Sequence, residues 1–290
     1  MTRGIDHIVH AVRDLDAAAA LYRGLGFIVG GRNEHPREWG TQNRLIQTPD
    51  TFIELLAIAD ESGMAPHAPR HFSFGAFNRD FLKRQEGLSM LVLKGRGAPD
   101  ADEFRAKGIG DFELYEFERE GKRPDGTRLT FSFALAFASD PNSPETSFFT
   151  CQHRHPPGNF WNPEFQKHAN GATNVGGIVL VANDPERHRA FMQTFTGGEA
   201  TRTDSGFTIA TPRGRIEMTT PAAFTRRFGV AAPDVSRGAR LAAIRFTVAD
   251  ASLLQAAPEL AGIAGIYAGN PATIGADDAL GAVIIFEPAR

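Results

Sequence analysis

Apolar, β-prone runs recur along the chain, each followed by a segment with helical spacing. Ile5-Asp6-His7-Ile8-Val9-His10-Ala11-Val12 is the first. After it, Leu15 to Leu25 places Ala, Leu and Tyr at helical intervals, with Asp14 as cap and Gly24 or Gly26 as stop. Val175 to Ala182 followed by Asn183-Asp184-Pro185 repeats the order, with Asp184 as N-cap, Pro185 at the first helical position and Phe191, Met192 and Phe195 on the apolar side. Leu241 to Val248, then Ala249-Asp250, repeats it again. When His7, Gly177 and Ala243 are aligned, the capping aspartate falls seven residues later in each copy, at Asp14, Asp184 and Asp250. A looser copy runs from Leu88 to Lys94 and then Asp100 to Gly108, with Met90 at the His7 position.

Short β-prone runs follow each helix. In the first unit they are Phe27 to Gly30, Thr41 to Gln47 and Thr51 to Ile58; in the second, Phe112 to Glu118, Arg128 to Phe137 and Ser147 to His153. The third unit has Glu199 to Thr203, Phe207 to Thr211 and Arg215 to Thr219, and the fourth ends in Ala282 to Glu287. The pattern predicts an α+β fold of four βαβββ modules paired into two mixed-sheet half-barrels. Residues 1–154 form the first pair, 155–172 a linker rich in Pro and Asn, and 173–290 the second pair. Ala59 to Phe74 and Pro221 to Arg240 are read as connectors. Because a βαβββ unit leaves one sheet face uncovered, two paired units enclose a concave cleft lined by alternate side chains.

Composition narrows the class of function. Of 290 residues, 42% are hydrophobic and 22% charged, which is the profile of a folded globular chain. With 31 Lys and Arg against 34 Asp and Glu, the net charge of -3 gives no pull on nucleic acid or anionic lipid. The single cysteine, Cys151, excludes a disulfide framework and a four-cysteine zinc site. No run long and apolar enough to span a membrane and no leader-like start is present, so a cytoplasmic protein with a small-molecule partner, open to homodimer formation, is expected. Gly24-Leu25-Gly26 and Gly108-Ile109-Gly110 follow helices instead of preceding them, so no nucleotide cofactor is expected.

Ile5-Asp6-His7-Ile8-Val9-His10-Ala11-Val12 with Asp14-Leu15-Asp16 resembles the opening of the vicinal oxygen chelate superfamily, and Gly40-Thr41-Gln42-Asn43 followed by Phe52-Ile53-Glu54-Leu55 resembles its glyoxalase-like branch. The likeness covers the first unit well, the third and fourth loosely, and the second mainly through its last strand. It implies paired βαβββ modules around a metal-containing cleft, as in glyoxalases, extradiol dioxygenases, epimerases and antibiotic-resistance proteins. It also implies that His7 and Glu54 hold the first-strand and last-strand ligand positions.

The residues themselves allow that chemistry. His7 and Glu54 lie on strands of one unit, and imidazole with carboxylate suits a divalent Zn, Mn, Fe, Ni or Co. The second unit offers less, since Met90 is a poor ligand for a hard ion. Its last strand, Ser147 to His153, places either Thr150 or Cys151 opposite Glu54. The first register turns Gln152 inward and the second, favoured here, turns His153 inward as third ligand or general base. Asn43 and Arg44 are candidates for orienting substrate. Cys151, two residues from His153, is a candidate nucleophile. His10 is expected on the opposite strand face from His7, and His67 and His71 in a loop. Glu217 and Glu287 sit at the Glu54 position of the second half, where Gly177 and Ala243 replace the histidine, so the first half is the expected site. A glyoxalase-like enzyme acting on a small carbonyl, enol or diol compound is the leading expectation. A metal-free sequestering protein, favoured by Met90, is the alternative.

Overall fold

The computed structural model describes residues 1–122, 127–250 and 272–289. Among these residues the strands form two mixed sheets. The first contains β1 (Ile5–Ala11), β2 (Asn33–Glu34), β3 (Thr41–Gln47), β4 (Phe52–Ile58), β5 (Gly87–Lys94), β6 (Tyr115–Lys122), β7 (Arg128–Ala138) and β8 (Ser147–His153). Their spatial order is β2-β3-β4-β1-β5-β8-β7-β6. The two module-opening strands β1 and β5 run antiparallel at the centre, and each pairs in parallel with the last strand of its own module, β4 or β8. The second sheet repeats this plan with β9 (Ala172–Val181), β10 (Ala200–Thr203), β11 (Gly206–Ala210), β12 (Arg215–Thr219), β13 (Arg240–Val248), β14 (Ala272–Ile274) and β15 (Val283–Pro288), ordered β10-β11-β12-β9-β13-β15-β14.

Module helices start where the sequence provides caps. Asp14 accepts hydrogen bonds from the backbone of Asp16 and Ala17 at the start of α1 (Leu15–Gly24). In the second module α2 (Phe74–Leu82) precedes β5, and α3 (Ala98–Ala106) follows it. A short turn of helix, α4 (Pro157–Phe160), lies between the sheets in sequence. α5 (Glu186–Thr196) begins one residue later than expected: Pro185 is the cap residue, while Asp184 accepts the Glu186 N–H, and Gly197 closes the helix in the left-handed conformation. The fourth module's helix, expected after Asp250, lies outside the described residues.

The two sheets share one core on their helix-bearing faces. Phe148 of β8 packs on Phe191 and Phe195 of α5, and Phe27 packs on Phe246 and Phe286 of the second sheet. Each such buried aromatic or aliphatic side chain contributes about 1.5–3 kcal/mol. Phe27 to Gly30, expected as a strand, is irregular because Phe27 is drawn into this core, and the edge strand forms at Asn33–Glu34 instead. The next strand likewise begins at Tyr115, not Phe112.

The concave faces are treated differently. Pro221 to Arg240, read as a connector, opens with α6 (Pro221–Phe228), capped by Thr220. Its Phe224 and Phe228 fill the second cleft against Val179, Val181, Val283 and Ile285. In the first cleft, α2 and α4 contribute Phe74 and Phe160 to an aromatic wall but leave a pocket.

Candidate functional site

The pocket is lined by His7, Glu54, His35, Asn43, Arg119 and Cys151 among apolar side chains that include Trp39, Phe52 and Phe133. Glu54 is paired across the sheet with Val9 and with Leu45, which aims it at the concave face beside His7. The separation of His7 Nε2 and Glu54 Oε2 is 3.7 Å. Asn43, two residues from Leu45 on the same face of β3, donates to Glu54 Oε1 at 2.6 Å, which leaves Oε2 toward His7. The His7 ring stacks on Phe52 with centroids 4.3 Å apart.

A register shift between Ile5 and His7 decides what stands behind this pair. In a regular strand Ile5 would share a face with His7 and Asp6 would not. The irregularity exchanges them: Ile5 enters the core between the sheets, and Asp6 reaches the cleft. Asp6 Oδ1 lies 2.7 Å from His7 Nδ1 and 3.2 Å from His153 Nε2. Burial of Asp6 opposes its ionisation, but His153 and His7 outweigh that cost and hold the carboxyl well below its usual range. Because a carboxylate only accepts, His7 carries its hydrogen on Nδ1 toward Asp6, fixing the ring with Nε2 facing the pocket.

Two further groups complete the lining. His35, between β2 and β3, has Nδ1 2.8 Å from Thr41 Oγ1, and its Nε2 accepts from Asn43 at 2.9 Å and lies 3.4 Å from Glu54 Oε1. Burial depresses its pKa from 6.5 to about 4, with Glu54 opposing, so His35 is a neutral acceptor near pH 7. Arg119 on β6 is half-buried and lies over the Phe131 ring, 4.6 Å from its centroid. Burial lowers its pKa and Glu54 opposes that effect. Among the described residues no carboxylate oxygen lies within the 4.0 Å of an ion pair with Arg119; its hydrogen-bond partner is Asn33 Oδ1 at 3.4 Å.

The expected site residues divide accordingly. His7, Glu54 and Asn43 meet in the pocket. His153 comes near the cleft with Cys151, two residues away on β8, but its carboxylate neighbour is Asp6. Among the described residues, the set of three donors within 4.8 Å of one another is Asp6, Cys151 and His153, rather than His7, Glu54 and His153. Gln152 points to the other face, where its Oε1 accepts from Arg154. Arg44 is not brought to Glu54 either: it binds Asp16 and the Gly30 carbonyl on the outer face of β3. Burial, then Asp6 and Glu54, push the Cys151 thiol well above its ordinary pKa, which disfavours a nucleophilic thiolate. His10, as its strand parity requires, faces away and meets Tyr22.

Asp6, His35 and Arg119 were missed by sequence reasoning. Arg119 left a readable trace, since Tyr115, Phe117 and Arg119 alternate with Glu116, Glu118 and Glu120, which puts a cation on the apolar face. His35 left none beyond its place in a hairpin.

A profile of the glyoxalase-like domain matches residues 5–196. The chain belongs to the glyoxalase-like domain family. This places it in the vicinal oxygen chelate superfamily, and the paired βαβββ modules agree. No curated protein matches its sequence. Among solved structures, a hypothetical protein from Staphylococcus aureus is similar over 99% of this chain and 100% of its own, at 12% identity and a TM-score of 0.69. A mutant of 4-hydroxymandelate synthase from Streptomyces coelicolor is similar over 92% of this chain and 77% of its own, at 11% identity and a TM-score of 0.56. At these identities the likeness is one of fold.

Strand register tests whether this glyoxalase-like chain retains the ligand positions its family implies. His7 pairs with Val92 and Val9 with Met90, so Met90 is the counterpart of His7. Val9 pairs with Glu54 and Val92 with Phe149, so the counterpart of Glu54 is Phe149, not the Thr150 or Cys151 expected from sequence. Both replacements are buried and neither Met90 nor Phe149 suits a hard divalent ion. The second module therefore does not complete a metal set with His7 and Glu54. In the second sheet Glu217 is the true counterpart of Glu54, whereas Ile285, not Glu287, is its counterpart in the fourth module. Glu217 and Glu287 are both bound by Arg245 in an ion-pair cluster.

Proposed function

We propose that the first cleft is the active site of a glyoxalase-like enzyme that moves a proton on a small carbonyl, enol or diol compound carrying an apolar body and an anionic group. The observation that carries this reading is the His7 and Glu54 pair, 3.7 Å apart in an aromatic pocket that also holds Arg119, which has no carboxylate partner among the described residues. Glu54 Oε2 takes a proton from carbon next to the carbonyl, and Asn43 holds the other oxygen in place. His7 Nε2, an acceptor while Nδ1–H is held by Asp6, takes the hydroxyl proton of an enol or 2-hydroxy substrate and returns it to the same oxygen in the reverse direction. Arg119 receives the anionic group, the role expected of Arg44 from sequence, and the Trp39 and Phe133 side of the pocket takes the apolar body. No step is routed through an ion at the family positions, because Met90 and Phe149 do not fit one.

Solvent-deuterium incorporation into a set of small 2-oxo and 2-hydroxy carboxylates tests the proposal. The wild type should catalyse exchange with at least one member, Glu54→Gln should lose exchange while retaining binding, and Arg119→Met should chiefly raise KM. The sequestering alternative is favoured by Met90 and Phe149, and it predicts wild-type binding without exchange. That result would displace the enzyme reading.

A further inference from the structure

The inner end of the cleft holds donors that proton transfer at Glu54 does not use. One carboxylate oxygen of Asp6, Sγ of Cys151 and a ring nitrogen of His153 lie within 4.8 Å of one another. They are withdrawn from solvent: Asp6 is 0% exposed, Cys151 3%, and the His153 side chain 7%. Asp6 Oδ1 is engaged by His7 and His153, but Oδ2 is buried with no hydrogen-bond partner among the described residues. A wholly buried carboxylate oxygen without a donor is costly, and in a residue whose other oxygen already meets an imidazole beside a thiol it marks a place for a cation. The 3.2 Å between His153 Nε2 and Asp6 Oδ1 also suits two donors sharing one ion with bonds of about 2.0–2.1 Å.

We propose that Asp6, Cys151 and His153 bind one divalent cation of the zinc class, at a position separate from His7 and Glu54. Sulfur, nitrogen and carboxylate donors in one set select a borderline-soft ion over magnesium or calcium. Binding replaces the Cys151 S–H proton, which leaves to solvent, with a metal–thiolate bond; His153 gives up the hydrogen that Nε2 holds toward Asp6 and keeps its ring hydrogen on Nδ1, and no electrons are transferred. His7 Nδ1–H, already on Asp6 Oδ1, orients the ligating carboxylate from outside the coordination shell. Strand geometry accounts for the donor set: Cys151 and His153 share a face of β8, and the irregularity at Ile5 brings Asp6 to meet them across β5.

Cobalt(II) serves as the probe, added to full-length protein freed of metal by a chelator. One equivalent should bind with a thiolate-to-cobalt charge-transfer band, and zinc should displace it. Cys151→Ser should abolish the band, and Asp6→Asn should weaken binding by about 100-fold or more, while Glu54→Gln should leave both intact. Absence of the band at saturating cobalt in the wild type overturns the proposal. So does a band that survives Cys151→Ser, or binding lost in Glu54→Gln and kept in Cys151→Ser. The wild-type spectrum reports the thiolate directly, so the test stands even where a variant fails to fold. It is also independent of whether any compound exchanges its proton at Glu54.

Discussion

Replacing His10 by leucine should flatten the acid limb of the stability curve. His10 is wholly buried between α1 and the turn that precedes β15, with Nδ1 3.0 Å from Tyr22 Oη and Nε2 2.9 Å from the Leu280 carbonyl. Burial lowers its pKa from 6.5 to about 4, against smaller opposing effects of the Leu280 carbonyl and Glu86. The native state therefore favours the neutral ring. Its stability is complete above the unfolded value of 6.5 and falls as pH drops from there through about 4. Linkage puts the loss at roughly 1.4 kcal/mol by pH 5.5, and about 3 kcal/mol once both states are protonated. At pH 7.5 the leucine variant should be less stable by about 1–3 kcal/mol, because Tyr22 Oη and the Leu280 carbonyl lose their partner. Between pH 7.5 and 5.5 that gap should narrow by about 1.4 kcal/mol. Urea unfolding at the two pH values and fixed ionic strength, followed by far-UV circular dichroism, measures both quantities. His35 adds a similar slope to each protein and cancels in the difference. Parallel loss of stability in the two proteins would refute a neutral, buried His10.

Three other outcomes follow from the packing. Phe224→Ala should cost about 3–5 kcal/mol in a denaturation experiment, since its wholly buried ring fills the second cleft; a loss under about 1 kcal/mol would mean that α6 does not hold that cleft closed. In Gly75→Ala the new Cβ would collide with the Trp39 carbonyl oxygen, so α2 must retreat and the fluorescence of Trp39 should change, with about 1–3 kcal/mol lost. Iodoacetamide should label Cys151 slowly in the metal-free native protein and rapidly in denaturant, because burial keeps the thiol protonated and covered. Fast native labelling would restore the nucleophilic reading.

Strand and helix order was legible because it is written in local chemistry: alternating or continuous apolar runs, a capping aspartate, and glycine or proline at the ends. The fold class, the placement of His7 and Glu54 on neighbouring strands, and the outward turn of His10 all follow from period and parity. What was missed depends on contacts distant in sequence. α6 lies in a stretch that reads as a connector, and α2 starts at the last residue of another and runs on through residues given no element, because their apolar residues acquire meaning only against a cleft that other modules build. Phe27 to Gly30 has strand propensity, yet burial of Phe27 against Phe246 and Phe286 governs that segment. Asp6 sits on the wrong side of His7 by strand parity, and only the shifted pairing of β1 with β5 brings it to His153, 147 residues away. The sequence by itself thus determined the elements and the faces of regular strands, which are set by neighbours a few bonds apart. Tertiary structure alone decided register, irregularity and closure of the clefts, because those are fixed by the joint packing of side chains that the chain keeps far apart.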